Sequence, residues 1–448
     1  MEKQSITSYE EAVDYINQIP KFTAKHSMEE TKGFLHKLGD PDQKCSLIHV
    51  AGTNGKGSVC TYMRCILEAA GKRVAVFTSP HLTDIRERFI VEGKMPAKDT
   101  FLKLFLEIYE KLDWERLAKG EGYHPSYFEY LFFMGMLWFA EERPDFCILE
   151  TGLGGRLDAT NAVAAKLISV ITHISLDHTA YLGNTTEAIA GEKAGIMKEN
   201  TPVVFWDTSP QVSAVFTKKA EELGIPAFRV SEKDGKNINF HEKSIDFLCK
   251  YRYDNTIRLA LPTIASYQVE NALLAVKAIE ILDRMGKVKV EPSEIAKGLK
   301  SSFWPGRMEE VLPEVYVDGA HNEDGIRAFL ETVKRDRKDG KRILLFGVMA
   351  DKDYRAMIKE IAASGLFDRI ALTGLHSTRA LDVQELLEMV CRQCENTGGL
   401  SRIVCESYRT TKEALIQLLK VRGDARIYIA GSLYLAGEIK EMAKNDQF

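Results

Sequence analysis

The sequence predicts an α/β protein of two domains, each built on a mostly parallel sheet. Three observations carry this. The chain has 448 residues, too many for one ordinary core. Short β-branched runs alternate with helical stretches, the pattern of parallel strands joined by crossover helices. The alternation breaks near Ser301 to Arg307, SSFWPGR, and then restarts. The break places the domains at residues 1–300 and 301–448.

Ser8 and Glu11 make a capping-box pattern that opens a helix through Ile19, with Pro20 behind it. SLIHVAG, Ser46 to Gly52, reads as a strand running into the glycine-rich TNGKGS, with a helix from Val59 to Ala70. A second strand, RVAVFTS, ends at Ser79. DFCILET ends a third at Glu150, and KLISVITHI a fourth near Ile174. The apolar run from Tyr130 to Ala140 is far short of the roughly 20 residues that cross a bilayer, and reads as a buried helix. Beyond the break, EVYVDGA, RILLFGVM, RIALTGL, RIVCES and ARIYIAGS read as five strands of a second, smaller domain. Ligands of such sheets bind at the carboxyl ends of strands. Lys56, Ser79, Glu150 and His178 all follow strand ends, which points to one shared site.

Composition sets the broad class. Hydrophobic residues are 45% and charged residues 28%, a globular balance. The net charge of −4, with both signs mixed, gives no support to a nucleic-acid or membrane surface. MEKQSITSYEEAVDYI lacks an apolar signal core, so a cytoplasmic location is expected. The eight cysteines are scattered, as reduced and mostly buried thiols would be. Cys391 and Cys394 form a C-x-x-C inside LDVQELLEMVCRQCEN, which has helical apolar spacing. No second cysteine pair or nearby histidine completes a zinc site.

The strongest chemical signal is Gly52-Thr53-Asn54-Gly55-Lys56-Gly57-Ser58, between a strand and a helix. Its glycines let backbone N–H groups curl around an anion. The helix start adds positive potential, and Lys56 adds a charge. Ser58 is placed to reach Mg²⁺ on the phosphates. The spacing departs from the usual phosphate-loop pattern: Val50 stands at the first glycine position, and Gly57 separates Lys56 from Ser58. By itself the segment fits a glycine-rich turn as well; the strand–loop–helix context makes it a nucleotide site. Glu150 ends an apolar strand and can hold the Mg²⁺ of a nucleotide, although strand-end glutamates are commonly solvated. The glycines at 152, 154 and 155 mimic half of a dinucleotide fingerprint, but Leu157 replaces its last glycine. His178 can ligate metal with Asp177 orienting it, or the pair can simply cap a helix. Lys193, in EKAGI, reads on its own as a solvated cation. In the second domain Arg307 of WPGR suits a phosphate. Asp318 and His321 follow the strand VYV, and both also fit a turn.

Taken together, HVAGTNGKGSV, FTSPHL, LETGLGGRLDATN, ISLDH, EKAGIMK, YQVENALLA, WPGRME, VDGAHN, FGVMADKD and AGSLYLAGE occur here in this order. The set resembles the folylpolyglutamate synthase and dihydrofolate synthase family of the Mur ligase superfamily, over roughly residues 8 to 440. The resemblance implies an N-terminal P-loop ATPase-like domain with a mostly parallel sheet and a Rossmann-like C-terminal domain. It implies an ATP-dependent ligase that phosphorylates a folate or pteroate carboxylate and then joins it to L-glutamate. Thr53, Asn54, Gly55, Lys56, Gly57 and Ser58 would hold the nucleotide phosphates. Ser58, Ser79, Glu150 and His178 would be ligands of Mg²⁺, of which two ions are expected. Lys193 matches a lysine that is carbamylated in the superfamily and so becomes anionic. Asn271, Arg307 and Asp318 match positions that hold adenine, phosphates and ribose. His321 and Ser432 match residues of catalysis or glutamate binding. A monomer with small-molecule partners only is expected. One departure, between Phe22 and Glu30, falls where some members form the pterin side of the site, and bears on substrate preference.

Two other readings compete. A cell-wall Mur ligase usually has a substrate domain before its phosphate loop, and only 51 residues precede Gly52. A nucleotide switch without ligase activity leaves Arg307, Asp318 and His321 unexplained. Glutamate-dependent ADP release separates both from the favoured reading.

Overall fold

The computed structural model describes residues 3–20, 26–252, 255–336, 340–377, 379–396 and 403–445. Ser8 caps the helix Tyr9–Gln18, and Glu11 returns its hydrogen bond, as the sequence predicts. A second box, Ser27 with Glu30, opens the helix Met28–Lys37.

The N-terminal sheet has seven strands: β1 (Leu47–Ala51), β2 (Val74–Phe77), β3 (Phe89–Val91), β4 (Phe146–Glu150), β5 (Ile168–Ile171), β6 (Val203–Trp206) and β7 (Ala227–Val230). Their order is β3-β2-β4-β1-β5-β6-β7. All neighbours are parallel except β3, which runs antiparallel to β2 at the edge. β1 and β4 are buried along their whole length, which explains their near-continuous apolar sequences. Because β2, β4, β1 and β5 are adjacent, the segments leaving their carboxyl ends lie side by side. Val50 pairs in register with both Glu150 and Val170.

The helix after β1 is Lys56–Ala69, three residues earlier than expected. Gly55 has φ 88° and acts as the N-cap, so the chain turns straight from the loop into the helix. Lys56, Gly57 and Ser58 therefore form its first turn, where no apolar period announces a helix. The expected buried helix is present as Tyr127–Glu142, and Tyr130, Phe132, Phe133 and Phe139 in it have no exposed surface. It packs on one face of the sheet with the helices Tyr9–Gln18 and Lys98–Glu110. The other face carries the helices Lys56–Ala69 and Gln268–Arg284. Against them lies an antiparallel sheet of β8 (Gly235–Phe240), β9 (Ile245–Lys250) and β10 (Thr256–Leu261). That small sheet is an addition to the expected strands. Its signal is the alternation of Ile245, Phe247 and Cys249, buried every second residue along β9.

The second sheet contains β11 (Glu309–Leu312), β12 (Val315–Val317), β13 (Arg342–Phe346), β14 (Arg369–Thr373), β15 (Val404–Tyr408) and β16 (Arg426–Ala430), ordered β11-β12-β16-β13-β14-β15. The five expected strands are parallel neighbours. β11 is a sixth, antiparallel to β12, and too exposed to show an apolar pattern. Apolar layers cover both faces. β12, β16 and β13 are adjacent, so the segments bearing Asp318, Ser432 and Lys352 leave one end of this sheet together. The helix Val383–Asn396 carries Cys391 and Cys394. Among the described residues no cysteine is in a disulfide, and no three His, Cys, Asp or Glu side chains converge on a metal position. No described helix is long and apolar enough to cross a membrane.

Candidate active site

The loop after β1 is held from several sides. Thr53 and Asn54 N–H groups donate to the His173 carbonyl at 2.9 and 3.4 Å. The Thr172 hydroxyl donates to the Asn54 carbonyl at 2.6 Å, and the Thr53 hydroxyl to the Ser175 carbonyl at 3.1 Å. Lys56 Nζ folds back onto the carbonyls of Gly52 and Thr53 at 3.1 and 3.0 Å. Lys193, on the helix Thr186–Ala194, is only 4% exposed and reaches the same Gly52 carbonyl at 2.7 Å. The fold thus buries under the phosphate loop a lysine that in sequence looks solvated.

The other side of the loop meets residues from far along the chain. A Cβ on Gly55 would fall 2.1 Å from Asn271 Oδ1, and one on Gly57 would fall 2.5 Å from the Trp304 ring. Glycine at both positions lets Asn271 and the WPGR segment close on the loop. Ser58 is buried, and its hydroxyl accepts from Gln268 Nε2 at 3.1 Å. Asn271 Nδ2 donates to Gln268 Oε1 at 3.0 Å.

The expected metal ligands cluster beside this loop. Glu150 is buried at the end of β4, and its carboxylate accepts the Ser79 N–H at 3.1 Å. Burial raises its pKa to about 7, against the pull of Lys56, Arg307 and Arg88. A carboxylate kept in a dry wall in this way gains from a bound cation. His178 has φ 51° and starts a short helical turn. Burial lowers its pKa to about 4, assisted by Lys352, Lys56 and Lys193, so the imidazole is neutral, the form that binds metal. One carboxylate, a hydroxyl and a neutral imidazole, with room for water and phosphate oxygens, fit Mg²⁺.

A polar network joins the two sheets' ends. Lys352 Nζ donates to Asp177 Oδ1 at 2.8 Å. Asn322 Nδ2 donates to Asp177 Oδ2 and to Asn54 Oδ1, both at 3.1 Å. Asn54 Nδ2 donates to Asp324 Oδ2 at 2.9 Å. Burial pushes the Asp177 carboxyl up, but Lys352 and the two nearby histidines outweigh it and hold the group well below the usual range. His321 Nδ1–H donates to the Gly319 carbonyl at 2.7 Å. Burial and Lys352 lower its pKa to about 4, leaving Nε2 an acceptor. Asp318 is buried and accepts from the Tyr267 hydroxyl, the Met308 N–H and the Ala320 N–H. Burial raises its pKa, with Arg307 opposing. Ser432 caps the helix Leu433–Lys444 through the Tyr434 N–H.

Between the two sheets lies a cavity of about 410 Å³. Ser79 and His178 line it from one side, and His321 and Ser432 from the other. Thr53, Asn54, Gly55, Lys56, Gly57, Ser58, Glu150, Lys193, Asn271, Arg307 and Asp318 lie outside that lining. Most of these belong to or touch the phosphate loop. Glu129 also lines the cavity, bonded to His26 Nδ1 at 2.7 Å and the Thr31 hydroxyl at 3.0 Å. His26 falls in the departing segment Phe22–Glu30, of which residues 22–25 lie outside the described residues. Several residues here carry no warning in sequence: Lys352, Arg88, Asn322, Asp324 and Glu129. Lys352 sits in FGVMADKD and Asn322 in VDGAHN, but only the fold shows what they face.

Comparison with known proteins agrees with this architecture. The Mur ligase middle domain matches residues 117–279, and the Mur ligase glutamate ligase domain matches residues 306–433. The chain is 33% identical over 449 residues to the dihydrofolate synthase/folylpolyglutamate synthase of Bacillus subtilis (strain 168), covering 98% of this chain and 100% of that protein. It is 30% identical to the folylpolyglutamate synthase of Lacticaseibacillus casei, covering 97% and 98% of the two chains. Among solved structures, E. coli FolC in complex with DHPP and ADP superposes with a TM-score of 0.84 at 26% identity, covering 99% of this chain and 100% of that one. An FPGS–AMPPCP–folate complex gives 0.83 at 29% identity, covering 97% and 99%. On identity and coverage of this extent, the chain belongs to the folylpolyglutamate synthase/dihydrofolate synthase family of the Mur ligases.

Proposed function

We propose that the chain is an ATP-dependent ligase that joins L-glutamate to a folate-type carboxylate through an acyl phosphate. One observation carries this reading. Ser79 and His178 at the end of one sheet, and His321, Lys352 and Ser432 at the end of the other, line a single cavity large enough for a folate-sized ligand, and the Ser79 N–H ties that wall to Glu150. The division into domains near residue 300 is part of the same reading, as is a monomeric enzyme.

The chemistry follows from the residues. Lys56 and the loop N–H groups hold the ATP phosphates, so that the substrate carboxylate meets the γ-phosphorus in line. Ser79, Glu150 and His178, with Ser58 at the phosphates, would hold Mg²⁺, which would supply charge neutralisation there. A carbamate on Lys193 would add oxygen donors for a second ion. Asn271 closes on the loop at Gly55, and with Arg307 and Asp318 it is assigned to adenine, phosphates and ribose. His321 is neutral with Nε2 unprotonated, so it can accept a hydrogen bond from the glutamate ammonium and orient it for attack. Ser432 lines the same cavity and is assigned to the amino-acid substrate.

A substrate panel tests the reading. With ATP, Mg²⁺ and glutamate, ADP release is expected only when dihydropteroate or tetrahydrofolate is also present. Which acid works decides between dihydrofolate synthase, folylpolyglutamate synthase and both. ADP release indifferent to glutamate points instead to a nucleotide switch.

A further inference from the structure

Four cationic side chains line the cavity, and three have a carboxylate partner. His26 pairs with Glu129 at 2.7 Å, Lys352 with Asp177 at 2.8 Å and Arg379 with Asp351 at 3.3 Å. The fourth, Arg88, has no carboxylate within 4 Å among the described residues, and it is the most buried, at 6% exposure. Its Nε donates to His81 Nδ1 at 2.9 Å, and its guanidinium lies 5.5 Å from the centre of the Tyr127 ring. Neither neighbour carries a negative charge, and the carboxylate of Glu150 acts on the guanidinium only from beyond ion-pair distance.

Its position is fixed by the sheet. Arg88 ends the 3₁₀ turn Ile85–Arg88, and its carbonyl accepts the Thr78 N–H at 3.0 Å, directly across from the chain that leads to Ser79. The next residue, Phe89, pairs in register with Phe77. The guanidinium lines the same cavity as Ser79 and its charge reaches Glu150, on the side where the acid to be phosphorylated must meet the phosphate loop. A buried charge without a partner is costly, and a ligand that brings the opposite charge removes that cost. The planar fork of arginine matches a carboxylate.

We infer that Arg88 binds the substrate carboxylate that becomes the acyl phosphate, an assignment that rests on the ligase reading above. One carboxylate oxygen attacks the γ-phosphorus, and the bond from that phosphorus to the β-bridging oxygen breaks with its electron pair going to ADP. Arg88 holds the other oxygen, which becomes the acyl carbonyl. When the glutamate amine adds to the carbon, negative charge collects on that oxygen beside the guanidinium. Collapse expels inorganic phosphate, and the amine proton leaves to a base.

The test compares the full-length wild type with Arg88→Gln and Arg88→Lys. Binding is measured for dihydropteroate or tetrahydrofolate, whichever the wild type glutamylates, and for the same compound with its reacting carboxyl changed to a carboxamide. The wild type is expected to prefer the acid by about tenfold or more, the effect of losing one charge-assisted contact. Arg88→Gln is expected to bind acid and amide alike, Arg88→Lys to keep part of the preference, and the KM for ATP to stay within about twofold. A wild-type acid-to-amide ratio in folded Arg88→Gln or Arg88→Lys, or no acid preference in the wild type, overturns the assignment. A wild type that glutamylates neither acid overturns the ligase reading itself, and this inference with it.

Discussion

Lys56 and Lys193 donate to the same acceptor, the Gly52 carbonyl oxygen, at 3.1 and 2.7 Å. Two ammonium groups therefore share one small, mostly buried space beneath the phosphate loop. Carbamylation of Lys193 would turn that repulsion into attraction and keep an N–H for Gly52. Lys193→Ala is expected to lower turnover about a hundredfold or more, as for removal of an electrostatic catalytic group. A short carboxylic acid is expected to restore part of it by filling the vacated volume. Carbon-13 NMR in labelled bicarbonate provides the check. An enzyme with no carbamate signal and an active Lys193→Ala variant would refute the modification.

Glu150 is predicted to trade stability for function. Its folded-state pKa of about 7 stands above the ordinary 4.5 because of burial. The neutral acid is therefore the stable buried form, and the stability it gives is complete below about pH 4.5 and lost as pH rises through 7. Glu150→Gln should stabilise the ligand-free protein at pH 8 by on the order of 2–3 kcal/mol, with the gain vanishing at pH 4.5. Turnover should fall to background. Denaturation series at the two pH values decide it; an equal gain at both would contradict the assigned cause.

Gly57 is predicted to be irreplaceable for a reason far along the chain, in the WPGR segment. Its missing Cβ leaves room for Trp304. Gly57→Ala should cost about 1–3 kcal/mol through overpacking. It should also raise the KM for ATP, since Trp304 precedes Arg307 by three residues and moves with it. Trp304→Leu in the Gly57→Ala background should recover much of the ATP affinity. No recovery would show that the loop itself, and not the WPGR contact, is what the alanine damages.

The sequence made the strand ends legible because chemistry and periodicity coincide there. Lys56, Ser79, Glu150 and His178 each follow an apolar run, and adjacency of β2, β4, β1 and β5 brings them together. What it concealed was long-range. Lys193 looks solvated because nothing local says that its helix lies under Gly52. Arg88 sits among RER charges that look like surface, yet it is buried in the cavity wall. The β8–β10 sheet and β11 were hidden by exposed, polar residues, which weaken the two-residue alternation. The true start of the loop helix was masked by Lys56-Gly57-Ser58, whose helical conformation comes from the Gly55 cap.

The pair Lys352–Asp177 is predicted to hold the two sheets' ends together. Both side chains are mostly buried, at 14% and 11% exposure. Lys352→Met leaves Asp177 charged and without that cation, which should cost on the order of 2–4 kcal/mol. Asp177→Asn should cost less, because an amide oxygen can still accept from Asn322. The wild type should also lose the contribution of Asp177 as pH falls below about 3.8, toward its depressed folded-state value. Chemical denaturation of the two variants compares them; a larger loss in Asp177→Asn would reverse the proposed order.

The acyl phosphate is the centre of the account, and oxygen-18 tracing tests it most directly. Substrate acid carrying ¹⁸O in both oxygens of the reacting carboxyl is turned over with ATP, Mg²⁺ and glutamate, and the released phosphate is analysed by mass. Attack of the carboxylate on the γ-phosphorus predicts one ¹⁸O in each phosphate and one left in the new amide. Phosphate free of label, formed alongside glutamylated product, would contradict it.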